Sequence, residues 1–330
     1  MKRVVHFLKE EVVLTITLML AFVSAFFVKP DRSYTEYIDY RVLAILAGLM
    51  LVMEGLKEQG VFRRIAKWMI SKCKDLRAVY VTQVFLCFFF SMWITNDVAL
   101  IVFVPLALET LCMMDKEEEA IHMIVFQTLA ANLGSMLTPV GNPQNLYLYG
   151  LAGYSFTGFV KTMLPLSLIS AILLWISCVA FGTKDKVVLA HKEKVPHEKK
   201  EEGNTLSGLH GKMLVIWYGI LFLFNLLAVL NTVPYIYTIA CTVLAVFLMD
   251  RKILIKIDYG LLLTFAAFFI FVGNMGRIPS LAAFLERSIA GRELGITVLL
   301  SQGISNVPAA LLLSGFTDDY SGLNDKISGG

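Results

Sequence analysis

Long apolar runs dominate the chain, and their lengths set the first expectation. A run of about 17 to 25 apolar residues can cross a bilayer as a helix, and such runs fall near 12 to 29, 40 to 56, 161 to 182, 213 to 230, 233 to 249 and 260 to 276. Three further apolar stretches carry polar interruptions. Residues 78 to 113 are broken in the middle by Thr95-Asn96-Asp97, which predicts either two spans or a re-entrant hairpin with that tripeptide at its tip. Residues 121 to 149 read as one helix interrupted by a Thr138-Pro139-Val140-Gly141-Asn142-Pro143 loop, and residues 294 to 316 repeat the first pattern around Ser305-Asn306-Val307-Pro308. Polar groups and helix breakers at bilayer depth are tolerated where they line a cavity or bind something. The three interruptions are therefore the candidate transport site.

Composition narrows the class. With 57% apolar and 17% charged residues and a mean hydropathy of +0.70, the chain does not fit a soluble protein. An all-α polytopic membrane protein is expected. A net charge of +3, with Lys and Arg confined to a few inter-helix segments, gives no basis for a nucleic-acid partner. The five cysteines, Cys73, Cys87, Cys112, Cys178 and Cys241, are scattered and suggest neither a disulfide framework nor a metal site. The histidines form no HExxH motif and no intramembrane pair, so nothing points to a metalloprotease or haem carrier and no enzyme is expected. The run at 12 to 29 ends in Lys29-Pro30-Asp31-Arg32 without a small-residue cleavage site, which reads as a first membrane helix rather than a signal peptide.

Orientation follows from the cations, which favour cytoplasmic loops. Lys57, Arg63, Arg64, Lys67, Lys72, Lys74 and Arg77 mark one inner segment, and Lys184, Lys186, Lys192, Lys194, Lys199, Lys200 and Lys212 another. Arg251, Lys252 and Lys256 mark a third, whereas residues 147 to 158 and 231 to 235 carry no charge and suit the outside. This places a multi-pass protein in the cell membrane with its N-terminus inside. It does not decide between hairpin and span pair at 78 to 113, because both leave these loops on the same sides.

An internal repeat bears on that choice. Ile38-Asp39-Tyr40 recurs as Ile257-Asp258-Tyr259 and Asp31-Arg32 as Asp250-Arg251, both at an offset of 219 residues. Thr95-Asn96-Asp97 and Ser305-Asn306-Val307 match at an offset of 210. By the charge rule the span at 12 starts inside and the span at 233 starts outside, so the repeats are inverted, an architecture that brings paired discontinuous helices to a midplane site. The resulting organisation is a first repeat over 1–183, a cytoplasmic linker over 184–212, a connecting span over 213–230, an incomplete second repeat over 231–316 and a polar tail over 317–330.

This order of motifs resembles the ion transporter superfamily that includes arsenite permeases, citrate transporters, D-type sodium/proton antiporters and divalent-anion/sodium symporters. The resemblance covers most of residues 10 to 320. It rests on Thr95-Asn96-Asp97-Val98-Ala99, the Gly134 to Asn145 loop, and Ser301-Gln302-Gly303-Ile304-Ser305-Asn306-Val307-Pro308. It implies two re-entrant hairpins that enter from opposite sides and bring Asn-containing tips to mid-membrane, each beside an unwound helix that holds the coupling ion. Thr95, Asn96, Asp97, Ser305 and Asn306 are then the substrate-binding candidates. Asn96, Thr138, Gly141, Asn142 and Asn145 are the ion-binding candidates, with sodium expected at Asn96, Thr138, Gly141 and Asn142. A helix starting at mid-membrane offers free N–H groups to an anion, and free carbonyls suit a cation.

The resemblance implies a secondary permease for a small anion, oxyanion or carboxylate, coupled to Na+ or H+ and without another cofactor. A homodimer is a further expectation. Dicarboxylate members carry Ser-Asn-Thr at both tips; here the third hydroxyl is missing twice, and Asp97 would repel a di-anion unless neutralised. A sodium/proton antiporter therefore stays open, as does a non-transporting membrane protein. Because the chain stops where a second broken helix would begin, a truncated or frame-shifted product is also expected.

Overall fold

The computed structural model describes residues 12–73, 75–181, 209–289, 292, 295–297, 299, 301 and 306–316. Ser305, the 317–330 tail, most of the 184–212 linker and residues 1–11 lie outside the described residues. The chain is an all-α polytopic membrane protein. Among the described residues five helices are long and apolar enough to cross a membrane: 76–94, 96–113, 156–181, 211–229 and 259–276.

In chain order the helices are α1 (Val12–Phe27), α2 (Ser33–Glu36), α3 (Tyr40–Glu58), α4 (Val61–Ile70), α5 (Leu76–Ile94), α6 (Asn96–Met113), α7 (Ala120–Ser135) and α8 (Pro143–Leu151). They continue as α9 (Phe156–Phe181), α10 (Leu209–Val229), α11 (Tyr235–Met249), α12 (Ile253–Lys256), α13 (Tyr259–Gly276), α14 (Pro279–Ile289) and α15 (Asn306–Ser314). The apolar runs set the helix interiors and short polar side chains set the starts. Asp39, Asp75, Asn142 and Asp258 each accept a hydrogen bond from the N–H three residues on, which occupies an otherwise orphaned donor and stabilises each start by about 1 kcal/mol. α9 begins at Phe156 rather than 161, because the Ser155 hydroxyl accepts from Gly158 N–H and caps the helix one turn earlier than the apolar run predicts.

The repeat is visible bond by bond. Asp39 caps α3 with φ −78° and ψ 87°, and Asp258 caps α13 with φ −77° and ψ 88°. Tyr40 N–H donates to Ile38 O at 3.0 Å, and Tyr259 N–H to Ile257 O at 3.0 Å. Asp31 accepts from Ser33 N–H at 3.0 Å and Asp250 from Lys252 N–H at 3.1 Å. The two copies run in opposite senses. Lys256, just before α13, pairs with Glu58 at the end of α3 at 2.6 Å, while Arg277, just after α13, pairs with Asp31 ahead of α3 at 2.7 Å. Each copy's first long helix packs on the other's second: α1 lies on α13 and α11 on α3.

α5 and α6 form an antiparallel hairpin. Tyr80 OH donates to Glu119 Oε2 at 2.8 Å near its open end, Gln83 Nε2 donates to Thr110 Oγ1 at 3.2 Å further in, and the Phe90 and Phe103 rings meet at 5.2 Å nearer the turn. One buried cluster, including Tyr80, Val84, Phe88, Phe103, Met123 and Ala130, locks the hairpin to α7. Another joins α3, α8, α10 and α13 through Leu46, Leu146, Val229 and Phe265.

Depth follows from helix lengths. α9 has 26 residues, about 39 Å at about 1.5 Å per residue. It runs antiparallel to the broken helix, since Phe181 stacks on His122 and Phe126 at the start of α7 while Phe159 stacks on Tyr149 at the end of α8. Asn132, where the hairpin tip makes contact, lies about 15 Å along the axis from His122. The tip is thus level with the middle of α9 rather than with either end.

Candidate functional site

At the tip, a single residue separates two long helices. Thr95 ends α5 and starts α6 with φ 71° and ψ 155°, a conformation open to glycine but strained for a β-branched residue by about 1–3 kcal/mol. Its hydroxyl makes no capping bond, so no side chain covers the first N–H groups of α6. Asn96 and Thr95 are half-buried and Asp97 is exposed. The helix start is therefore accessible and carries a partial positive charge.

Asn96 Nδ2 donates to Asn132 Oδ1 at 3.2 Å. Asn132 Nδ2 is itself tied to Thr128 O at 2.9 Å, one turn back in α7, which leaves the Asn132 carbonyl oxygen pointed at the tip. α5 and α7 approach closely only because residue 134 is glycine: a Cβ there would lie 2.0 Å from Phe88 O. Contact at that distance is impossible without separating the two helices.

The break between α7 and α8 is held by its own side chains. Thr138 Oγ1 donates to Met92 O, one of the last carbonyls of α5, and accepts from Gly141 N–H at 3.1 Å. Asn142 Oδ1 accepts from Asn145 N–H at 2.9 Å, and its Nδ2 donates to Ser135 Oγ at 3.2 Å. A Cβ on Gly141 would fall 2.0 Å from Ser135 O, so the loop folds this tightly only with glycine there. The carbonyls of Ser135, Met136 and Thr138 converge on Asn145 Nδ2 at 3.3, 3.1 and 3.1 Å. Such a group of carbonyl oxygens around one point is the kind of surrounding that can replace an ion's water shell; here the amide of Asn145 fills it.

The structure thus joins Thr95, Asn96 and Asp97 to the end of α7, and gathers Thr138, Gly141, Asn142 and Asn145 directly behind them through the Met92 carbonyl. Asn306 opens α15 as Asn96 opens α6, with an exposed side chain. α15 packs against α8, and Ser314 and Tyr147 hydroxyls lie 2.9 Å apart across that contact. Two participants were not singled out from the sequence: Asn132, the partner of the tip, and Ser135, which links Asn142 and Asn145 to α7. Their signal was present, since both lie in the polar stretch that begins the break. Their partners depend on how α5 packs.

Compared with known proteins, residues 4–319 match the family model described as citrate transporter. The chain is 30% identical over 290 residues to inner membrane protein YbiR of Escherichia coli, covering 86% of this chain and 73% of that protein. It is 29% identical over 284 residues to an uncharacterized transporter of Methanocaldococcus jannaschii, covering 84% and 72%. A shorter similarity, 32% over 143 residues, covers 42% of this chain and 28% of silicon efflux transporter LSI3 of Oryza sativa.

Proposed function

The chain belongs to the citrate transporter family, and on that premise we propose that this membrane transporter is a secondary permease for a small anion, oxyanion or carboxylate, coupled to Na+ or H+. Family membership makes it a permease rather than an enzyme. One observation carries the finer reading: the uncapped start of α6, with Asn96 held on Asn132, lies level with the middle of α9. Free N–H groups at a helix start bind anionic oxygens, and the Asn96 and Thr95 side chains add neutral donors.

Asp97 supplies the coupling in this reading. An exposed carboxylate one residue from the anion site opposes anion binding until a proton or a cation neutralises it. Loading of the two species is then mutually dependent. Sodium would draw on the carbonyls of Ser135, Met136 and Thr138, with the Asn145 amide displaced as their partner. The proposed setting is the cell membrane with the N-terminus inside.

Asp97 also supports a second reading, exchange of sodium for protons, because a carboxylate exposed at the hairpin tip can take either cation in turn. Purified protein in liposomes separates the two. Uptake of labelled citrate, inorganic phosphate, arsenite or silicic acid, the last suggested by the name of the rice relative, is measured under an imposed Na+ or pH gradient. Gradient-driven accumulation of one solute supports the permease. Proton movement driven by Na+ with no solute uptake supports the antiporter, and neither activity from folded protein overturns both.

A further inference from the structure

Outside the transport site, the most unusual surface is the outer face of α4. This helix buries Phe62 and Ala66 against the hairpin, where the Phe62 and Phe90 rings meet at 5.7 Å. Arg63 and Lys67 flank that face and both reach Glu109 of α6 at 3.3 Å. The opposite face is fully turned outward: Arg64, Ile65, Trp68, Met69 and Lys72 are exposed, with Trp68 60% accessible. Arg64 and Trp68 lie one turn apart on α4, and Lys72, in the turn just after the helix, continues their stripe with its Nζ 3.7 Å from the Trp68 ring centre. Neither Arg64 nor Lys72 pairs with a carboxylate among the described residues.

The repeat provides an internal comparison. α14 occupies the corresponding place after α13, and at the same offset of 219 residues Arg63, Arg64, Lys67 and Lys72 are replaced by Ala282, Ala283, Glu286 and Gly291. The fold thus forms this helix without cations at those four positions. α14 keeps one cation, Arg287, at the place of Trp68, so the run of four cations belongs to the copy that meets one side of the membrane, the side that cation-rich loops mark as inner. A helix with cations and Trp on one exposed face suits the boundary where anionic headgroups lie above acyl chains.

We propose that the Arg64–Trp68–Lys72 face of α4 binds the headgroup of an anionic phospholipid of the inner leaflet. The two cations take the phosphate, Trp68 lies at the glycerol level, and Ile65 and Met69 contact the chains. Because α4 is fastened to the hairpin through Phe62, Arg63 and Lys67, the bound lipid steadies the element that carries Asn96. The binding itself is independent of the transport reading.

The test uses the full chain with Trp93, Trp175 and Trp217 changed to Phe, leaving Trp68 as the sole tryptophan, in phosphatidylcholine nanodiscs. A minor fraction of brominated phosphatidylglycerol is expected to quench Trp68 severalfold more than the same fraction of brominated phosphatidylcholine, and salt should reduce the difference. Arg64→Gln with Lys72→Gln should bring the two lipids to equal quenching, with thermal unfolding unchanged. Equal quenching before those substitutions, or a preference that survives them, overturns the proposal. Shielding of Trp68 from both lipids would show that protein, such as a second copy, covers the face, and would overturn it as well.

Discussion

Lys256 Nζ lies 2.6 Å from Glu58 Oε2, so the residue that closes α12, just ahead of the second copy's long helix α13, meets the last residue of the first copy's long helix α3. With Asp31 and Arg277 paired at the other end, α3 and α13 must run in opposite directions. The inverted relationship thus rests on side-chain contacts rather than on charge counting alone.

Cross-linking tests that relationship. In a background with the five native cysteines replaced, Glu58→Cys with Lys256→Cys is expected to form an oxidative cross-link, as is Asp31→Cys with Arg277→Cys. Glu58→Cys with Arg277→Cys should not. Efficient linkage of that last pair, with none in the first two, would mean parallel copies.

The Asp31–Arg277 contact carries a pH signature. The hydrogen bond from Arg277 is the main cause that holds the Asp31 carboxyl below the usual carboxylate range. A lowered folded value means that the contribution is complete above the unfolded value of about 3.9 and is lost as pH falls through the folded one. In a double-mutant cycle of Asp31→Asn and Arg277→Gln read by thermal unfolding, the coupling should be present at neutral pH and vanish in strong acid. Its size is small, because the pair is exposed and screened. Coupling that persists undiminished in acid would show that the charge on Asp31 does not contribute.

Thr95→Gly should not destabilise the protein. The substitution relieves backbone strain of about 1–3 kcal/mol and gives back about 0.5–1 kcal/mol through the freer unfolded chain. A thermal midpoint equal to or above that of the starting protein is expected, together with altered transport from loss of the hydroxyl. A marked fall in the midpoint would indicate that the tip does not hold φ near 71°.

Much of this arrangement was legible in the residues. The Thr95-Asn96-Asp97 turn and the Thr138 to Pro143 break announce themselves, because nothing else in the long apolar runs can end a helix there. The pairing of Asn96 with Asn132 was not legible, since an Asn bonded back to Thr128 O inside a helix reads the same whether or not a tip lies opposite it. Asn145 shows the same limit. Its residue type suits ion coordination, yet its amide is engaged by three carbonyls, a fact set by how tightly the loop folds around Gly141. The backbone strain at Thr95 sits where a single residue turns the chain from α5 into α6, a geometry that local propensity does not encode.

The most direct measurement is gradient-driven solute flux into liposomes for the starting protein, Asn96→Ala, Asn132→Ala and the double substitution. The Asn96–Asn132 hydrogen bond contributes only about 0.5–1.5 kcal/mol to folding, so all four should remain folded. If the pair forms the anion site, each single change should lower flux by about tenfold or more, near 1.4 kcal/mol in the barrier, and the double change should add little to either. Wild-type flux from Asn132→Ala would contradict the assignment and separate the hairpin tip from the substrate path.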